Sequence, residues 1–112
     1  MAMVPILDLH AGPLPISVSF KSPSDGGGAV IMVSGSLRSV NAPTLIGFEV
    51  VIDGHVVGKS VIWSNADNVH RATVPVIVKA PQDFNQHTLS LQVMNANSIG
   101  DQNDYFTAIL DY

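Results

Sequence analysis

Residues 14–20, Leu-Pro-Ile-Ser-Val-Ser-Phe, decide the fold class because large apolar residues alternate with small or polar ones along them. An alternation with period two places the four large side chains on one face of a β-strand and the others on the opposite face. Pro15 has no N–H to donate, which suits an edge strand or the beginning of a strand. The stretch therefore predicts a strand with one face in a hydrophobic core.

The same alternation recurs along the chain, and helical periodicity is nearly absent. A second set of inward residues occupies every other position of residues 46–52, and Asp53-Gly54 follows at once. Asp-Gly tolerates positive φ at both central positions of a two-residue turn, so it predicts a β-hairpin. The partner strand should run from His55 to about Trp63, with Gly58 as a candidate bulge.

The remaining segments complete an all-β pattern of about eight strands. The longest candidate strand covers Val69 to Lys79, and residues 22–28 form a loop whose Gly26-Gly27-Gly28 suits a hairpin tip. Turns recur every 8–12 residues or so, which is typical of a β-sandwich or barrel. We expect one domain over residues 1–112, an antiparallel β-sandwich of jelly-roll type, with an immunoglobulin-like sandwich as the alternative.

The composition favours self-association. Only 12% of the 112 residues are charged, whereas 46% are hydrophobic. In a usual soluble domain, about a quarter of the residues are charged. A chain this short also has a large surface relative to its core. Such a chain either has an unusually uncharged exterior or covers part of it with copies of itself. We favour the second interpretation and expect a homo-oligomer.

The last strand, residues 105–110, has large apolar side chains on both faces. Phe106, Ala108 and Leu110 would face the core, and Tyr105, Thr107 and Ile109 would lie on the other face. A strand buried on both sides contacts the core with one face and a covering loop or a neighbouring subunit with the other. We predict that Tyr105, Thr107 and Ile109 contact another subunit.

The end of the chain also resembles a known superfamily. Residues 87–93, His-Thr-Leu-Ser-Leu-Gln-Val, lead through an Asn- and Asp-rich loop to residues 104–110, Asp-Tyr-Phe-Thr-Ala-Ile-Leu. This ending resembles the trimeric jelly-roll heads of the tumour-necrosis-factor and complement-globular-head superfamily and of phage tail fibres. Over about 25 residues, the resemblance implies a trimer whose last strand lies near the axis. It favours a structural or adhesive module, such as a fibre or spike head.

Charge and cysteine content limit the classes of partner. The net charge is −4, and the five basic residues are scattered, so no basic patch offers counterion release from nucleic acid. There is no cysteine, so disulfides are excluded and the redox compartment is left undetermined. Residues 1–9 do not resemble a signal peptide, and no apolar run is long enough to span a bilayer as a helix. We therefore expect neither nucleic-acid binding nor membrane insertion, and the sequence assigns no compartment.

Catalytic and metal motifs are not found. The four histidines show no metal-binding spacing, no Gly-x-Ser-x-Gly occurs, and the aspartates fall in turns, where Asp is common anyway. The loop at residues 95–104 carries five candidate oxygen ligands for calcium, but their spacing matches no calcium loop. These ligands are Asn95, Asn97, Asp101, Asn103 and Asp104. We expect no metal site and no cofactor, and an enzyme ranks third among the functions.

Trp63, the only tryptophan, is the best candidate for a ligand contact. It precedes a polar loop that contains Asn65, Asp67 and Asn68. An aromatic face beside amides and a carboxylate can stack on a sugar ring and bind its hydroxyls. We favour a core position for Trp63 at the end of a strand. The alternative is a small carbohydrate-binding lectin that uses Trp63, Asn65, Asp67 and Asn68, with a glycan as its partner.

Overall fold

The computed structural model describes residues 2–23 and 28–112, and it is an all-β sandwich. Every sheet pairing is antiparallel. The strands are β1 (Met3–Ala11), β2 (Ile16–Lys21), β3 (Val30–Ser34), β4 (Ser36–Ser39), β5 (Thr44–Ile52), β6 (His55–Ser64), β7 (Arg71–Ala72), β8 (Val76–Lys79), β9 (Gln86–Val93), β10 (Ser98–Ile99) and β11 (Tyr105–Asp111). No helix among the described residues is long and apolar enough to cross a membrane. Gly26 and Gly27 of the expected hairpin tip lie outside the described residues.

Two four-stranded sheets form the sandwich. We call the sheet with strand order β1-β11-β3-β8 the first sheet and the one with order β2-β9-β5-β6 the second sheet. A small third sheet, β10-β4-β7, lies at one end. The predicted jelly-roll type of antiparallel sandwich is thus confirmed.

The β5–β6 hairpin forms where the sequence predicts it. Asp53 and Gly54 have φ angles of 51° and 85°, the positive values that the two-residue turn requires. The pairing register shifts between Val50, which opposes Gly58, and Val51, which opposes Val56. The extra residue at this shift is Val57, next to the expected bulge at Gly58.

Two predicted strands are each divided in the structure, which accounts for most of the difference between eight strands and eleven. The apolar β-branched run from Ala29 to Val33, which continues more weakly to Leu37, predicts one strand, but β3 joins the first sheet and β4 joins the small sheet. The change occurs at Gly35, where an added Cβ would lie 2.3 Å from Cδ1 of Phe106. Only glycine leaves room for that ring.

The prediction of one long strand over Val69 to Lys79 is wrong. β7 pairs with β4, whereas β8 pairs with β3 in the first sheet. Between them, the N–H of Thr73 donates to the carbonyl of Gly35, between β3 and β4, and the N–H of Val74 donates to the carbonyl of Val61 in β6. Pro75 has no N–H. Because these backbone groups bind different neighbours, the chain cannot stay in one ladder.

The core lies between the inner faces of the two large sheets. Phe48 of the second sheet meets Phe106 of the first edge to face, with ring centroids 5.3 Å apart. Both rings are fully buried. The inward sets predicted for β2, β5 and β11 all enter this core.

The two faces of β11 differ as expected. Phe106, Ala108 and Leu110 are buried, whereas Thr107 and Ile109 are half-buried and Tyr105 is exposed on the outer face. β11 is a central strand, hydrogen-bonded to β1 on one side and to β3 on the other. Its outer face is thus available to solvent or to another molecule.

Candidate functional site

Trp63 lies on the surface, so the expectation that it belongs to the core is wrong. Its side chain projects from β6, an edge strand, and 52% of the residue is exposed. Trp63 opposes Leu45, which falls between the buried positions of β5 and therefore faces outward. The signal in the sequence was the candidate bulge beside Gly58. The extra residue there reverses the faces of β6 beyond it, so that Ser60, Ile62 and Ser64 occupy the inward positions.

The indole is held in a defined orientation. Its Nε1–H donates to Oδ1 of Asn65 at 3.0 Å, which ties the ring to the first residue of the loop after β6. Leu45, also exposed, lies directly opposite Trp63 on the neighbouring strand. Together the two residues form an apolar platform on the outer face of the second sheet.

The other two predicted ligand residues fix the loop that follows. Oδ1 of Asp67 accepts from the N–H of Ala42 at 2.7 Å, and Oδ1 of Asn68 accepts from Nη1 of Arg38 at 2.6 Å. The N–H of Asn68 donates to the carbonyl of Ser39. Asn68 has φ 61°, a left-handed conformation that Asn tolerates better than most residues. The structure thus brings Trp63, Asn65, Asp67 and Asn68 to one end of the sandwich.

A network of charged residues borders this loop, and no sequence motif marked it. Nε of Arg38 donates to Oδ2 of Asp101 at 3.0 Å, while Nη1 of the same guanidinium holds Asn68. The backbone N–H of Asn103 and the Arg38 side chain lower the pKa of Asp101. Arg38 therefore links the loop beside Trp63 to the loop before β11. Arg38 is 30 positions from Asn68 and 63 from Asp101, which is why local spacing could not reveal the link.

Asp104 lies at the buried end of the same network. Its fully buried carboxylate accepts from Nδ1 of His70 at 2.8 Å, from the Ser36 hydroxyl at 2.6 Å and from the N–H of Asp101 at 3.0 Å. Ser36 donates to the carboxylate and not to the imidazole, so His70 does not activate it as the base of a catalytic triad would. His70 is thus hydrogen-bonded to a buried carboxylate of its own chain.

His70, Asp101 and Asp104 are also the one group of described residues close enough to hold a metal ion. One ligand atom from each lies within 4.8 Å of the others. However, the Arg38 guanidinium, the Ser36 hydroxyl and two backbone N–H groups already bind the carboxylate oxygens. A metal would have to displace some of these donors. The expectation of no metal site stays a prediction.

The amides of the 95–104 loop bind their own turns. Oδ1 of Asn95 accepts from the hydroxyl of Ser98 and the N–H of Asn97, and Oδ1 of Asp101 accepts from the N–H of Asn103. Such bonds are typical of Asx turns. The amide NH₂ groups of Asn95 and Asn97 also donate to Leu45 and Thr44, which fixes the loop against β5.

Similar structures are found among solved proteins, whereas no model of a known protein family and no curated protein matches the chain. A family 35 carbohydrate-binding module from Clostridium thermocellum is 7% identical, with a TM-score of 0.53 over 98% of both chains. A family GH115 4-O-methyl-α-glucuronidase with specificity for decorated arabinogalactans is 15% identical, with a TM-score of 0.50. That match covers 99% of this chain and 16% of the enzyme.

These similarities establish the fold and no more, because the identities are low. They support the jelly-roll part of the resemblance stated for the end of the chain, but not its assignment to the trimeric heads. The similar structures are a binding module and one part of a glycoside hydrolase.

Proposed function

We propose that this domain is a non-catalytic carbohydrate-binding module that holds a glycan against Trp63. The observation that carries the proposal is the exposed and oriented indole on the outer face of the second sheet. The shared fold of a family 35 carbohydrate-binding module adds support. The role of a fibre or spike head, which was our first prediction from the sequence, has no comparable support.

An exposed tryptophan suits sugar binding for a physical reason. One face of a pyranose ring carries C–H groups, and these pack favourably on an aromatic face when water leaves both. Trp63 and Leu45 offer such an apolar surface without the need for a conformational change. Because Asn65 fixes the ring, little side-chain entropy is lost on binding.

The polar residues of the loop can complete the recognition of a sugar. Oδ1 of Asn65 and Oδ1 of Asn68 are each engaged within the protein, which leaves the two amide NH₂ groups as donors. Oδ1 of Asp67 is engaged with Ala42, which leaves Oδ2 as an acceptor. A sugar hydroxyl both donates and accepts, so this combination of two donors and an acceptor suits a neutral glycan.

The charged network supports binding and not catalysis. Asp104 is fully buried and has three donors, so it cannot reach a glycosidic bond. A backbone N–H and Arg38 bind Asp101 and favour its ionised form. A general acid must be protonated, so Asp101 does not suit that role. We therefore assign Arg38, Asp101 and Asp104 to the positioning of the loop.

Trp63→Ala tests the proposal, with Tyr105→Ala as the matched control. Both residues are aromatic and 52% exposed, but Tyr105 lies on the outer face of the first sheet. We expect the wild type to bind at least one glycan of an array, Trp63→Ala to lose that binding, and Tyr105→Ala to keep it. Both variants should fold, because neither ring is buried.

Fluorescence and calorimetry measure the binding of a glycan. Trp63 is the only tryptophan, so a shift of its emission during titration reports this site alone. Isothermal calorimetry then compares the variants. Failure to bind any glycan would contradict the proposal. So would a loss of about 3–5 kcal/mol of stability in Trp63→Ala, since that loss marks a core aromatic residue.

A further inference from the structure

The outer face of the first sheet carries an apolar row that the described residues of its own chain leave uncovered. Ile109 of β11, Met32 of β3 and Ile77 of β8 are directly opposite one another across three strands. Pro5 of β1 extends the row beyond Ile109. Ile77 is 61% exposed and Met32 is also exposed. Large apolar groups that line up in this way on a monomer mark a contact surface.

A shallow cavity lies beside the row. Its volume is about 150 Å³, and its lining is mostly apolar. The lining residues are Met32, Val33, Ser34, Pro75, Thr107 and Ile109. Ile77 projects from the same face one strand away from Met32. The face thus has both a protruding side chain and a hollow, as a surface that packs against a copy of itself requires.

The next row of the same sheet has complementary charges. Asp111 of β11 and Lys79 of β8 lie on either side of Val30 of β3. Lys79 and Asp111 form no salt bridge with any described residue of their own chain. Ile109, Met32 and Ile77 of the first row and all of the second row are therefore centred on β3, whereas Pro5 lies outside this set. The second row has opposite charges at its two ends.

We propose that two copies of this chain pack face to face through the first sheet, with a two-fold axis that runs along β3. This axis brings Met32 against Met32 of the second copy. Ile77 meets Ile109 of the second copy beside the cavity, and Lys79 meets Asp111 of the second copy. Every contact occurs twice, as an isologous interface demands. The partner is a second copy because Ile77 and Ile109 of the first row, and Lys79 and Asp111 of the second, complement each other across this axis on the same face.

The expected dimer is weak. The three overlapping strands, β11, β3 and β8, are about 4.8 Å apart, and with five residues of about 3.4 Å each they cover on the order of 250 Å² in projection. With side-chain relief, two such faces bury roughly 800 Å² in total, which is the size of a weak and transient contact. The second sheet stays outside the contact, so the two Trp63 residues face away from each other. A dimer would thus offer two Trp63 surfaces for multivalent contact.

Sedimentation equilibrium from about 1 µM to about 1 mM protein tests the dimer. We expect the wild-type mass to rise towards twice the 11.9 kDa of the chain. Ile77→Asp should weaken association by at least about tenfold, because it places an unpaired carboxylate against Ile109 of the second copy. Val56→Asp is the control, since Val56 is 50% exposed and belongs to the second sheet. A wild type that stays monomeric, a trimeric mass, or equal association of the two variants would overturn the proposal.

A charge exchange tests the position of the axis. Lys79→Asp and Asp111→Lys should each weaken the dimer, and the double variant should restore it, because the exchanged charges again face each other. Lys79 is exposed and Asp111 is half-buried at the end of its strand, so both changes should preserve the fold. A double variant that is weaker than either single variant would overturn the axis along β3. These masses are measured without glycan, so they are independent of the function proposed for Trp63.

Discussion

His87 holds two turns together at the end of the sandwich opposite Trp63. Its Nδ1 bonds to Asp53 in the β5–β6 turn, and its Nε2 bonds to Asp83 in the loop after β8, the latter at 2.8 Å. The half-buried ring also contacts Phe20, with centroids 5.9 Å apart. Both nitrogens can donate at once only when the imidazole is protonated. The residue thus acts as a charged clamp between two loops.

The clamp makes stability depend on pH. The bonds to Asp53 and then Asp83 raise the pKa of His87 above 6.5, so its contribution is complete below pH 6.5 and is lost as pH rises through that raised pKa. The bond to His87 lowers the pKa of both Asp53 and Asp83 below 3.8. Their contribution is complete above pH 3.8 and is lost as pH falls through those lowered values. The clamp therefore stabilises the fold most between pH 3.8 and pH 6.5.

His87→Gln should remove this pH dependence. We expect its melting temperature to be below that of the wild type at pH 5.5, with a smaller difference above pH 9. His10→Gln is the control, because the His10 ring is exposed and bonds only to the neighbouring carbonyl of Ala11. Thermal melts across pH measure both variants. An identical difference between wild type and His87→Gln at every pH would exclude the charged clamp.

At the scale of elements, the β5–β6 hairpin is the best-defined unit of the fold. Its register is continuous from the turn to Trp63 apart from one bulge, and the turn uses two positive φ angles. The hairpin carries Phe48 into the core and Trp63 onto the surface from opposite faces. The turn conformation therefore helps to position the proposed binding surface.

Gly54→Ala should destabilise the protein by about 1–2 kcal/mol, because φ is 85° there and a Cβ disfavours the left-handed region. An added Cβ would meet no atom within 4 Å, so the loss comes from the backbone and not from a clash. Gly54→Asn is the matched variant, since Asn tolerates this region and should lose less. Urea unfolding measures the free energy of unfolding of both variants. Equal losses in both variants would contradict the backbone argument.

At the scale of the whole molecule, the two sheets depend on a shared core. Phe106 of the first sheet packs against Phe48 of the second and fills the space that Gly35 leaves open. Loss of either ring would leave a cavity between the sheets. Unfolding of this small domain should therefore be cooperative.

Phe106→Ala should lower the free energy of unfolding by about 3–5 kcal/mol, a large fraction of the total for a domain of this size. Phe84→Ala is the control, because Phe84 is 61% exposed and its loss should change stability by about 0.5 kcal/mol or less. Chemical denaturation of both variants gives the comparison. A loss below about 1 kcal/mol in Phe106→Ala would contradict the role of this ring in the core.

The sequence alone determined the features that depend on neighbours along the chain. The alternation of residues 14–20 and 46–52 set the class of fold, and Asp53-Gly54 set the hairpin turn, because strand faces and turn angles are local properties. The prediction of which residues form the inner face of β11 was also correct. Whether its outer face contacts another subunit stays a prediction.

Only the tertiary structure decided which strands become neighbours. The alternation of residues 69–79 is the same whether they form one strand or two, and the break depends on the distant partners Gly35 and Val61. The surface position of Trp63 follows from the register shift in β6, and Arg38 reaches Asp101 across 63 positions. The alternation of side chains along a strand specifies which residues share a face, but not which sheet the strand joins. Burial and long-range contacts depend on that sheet, so only the folded chain determines them.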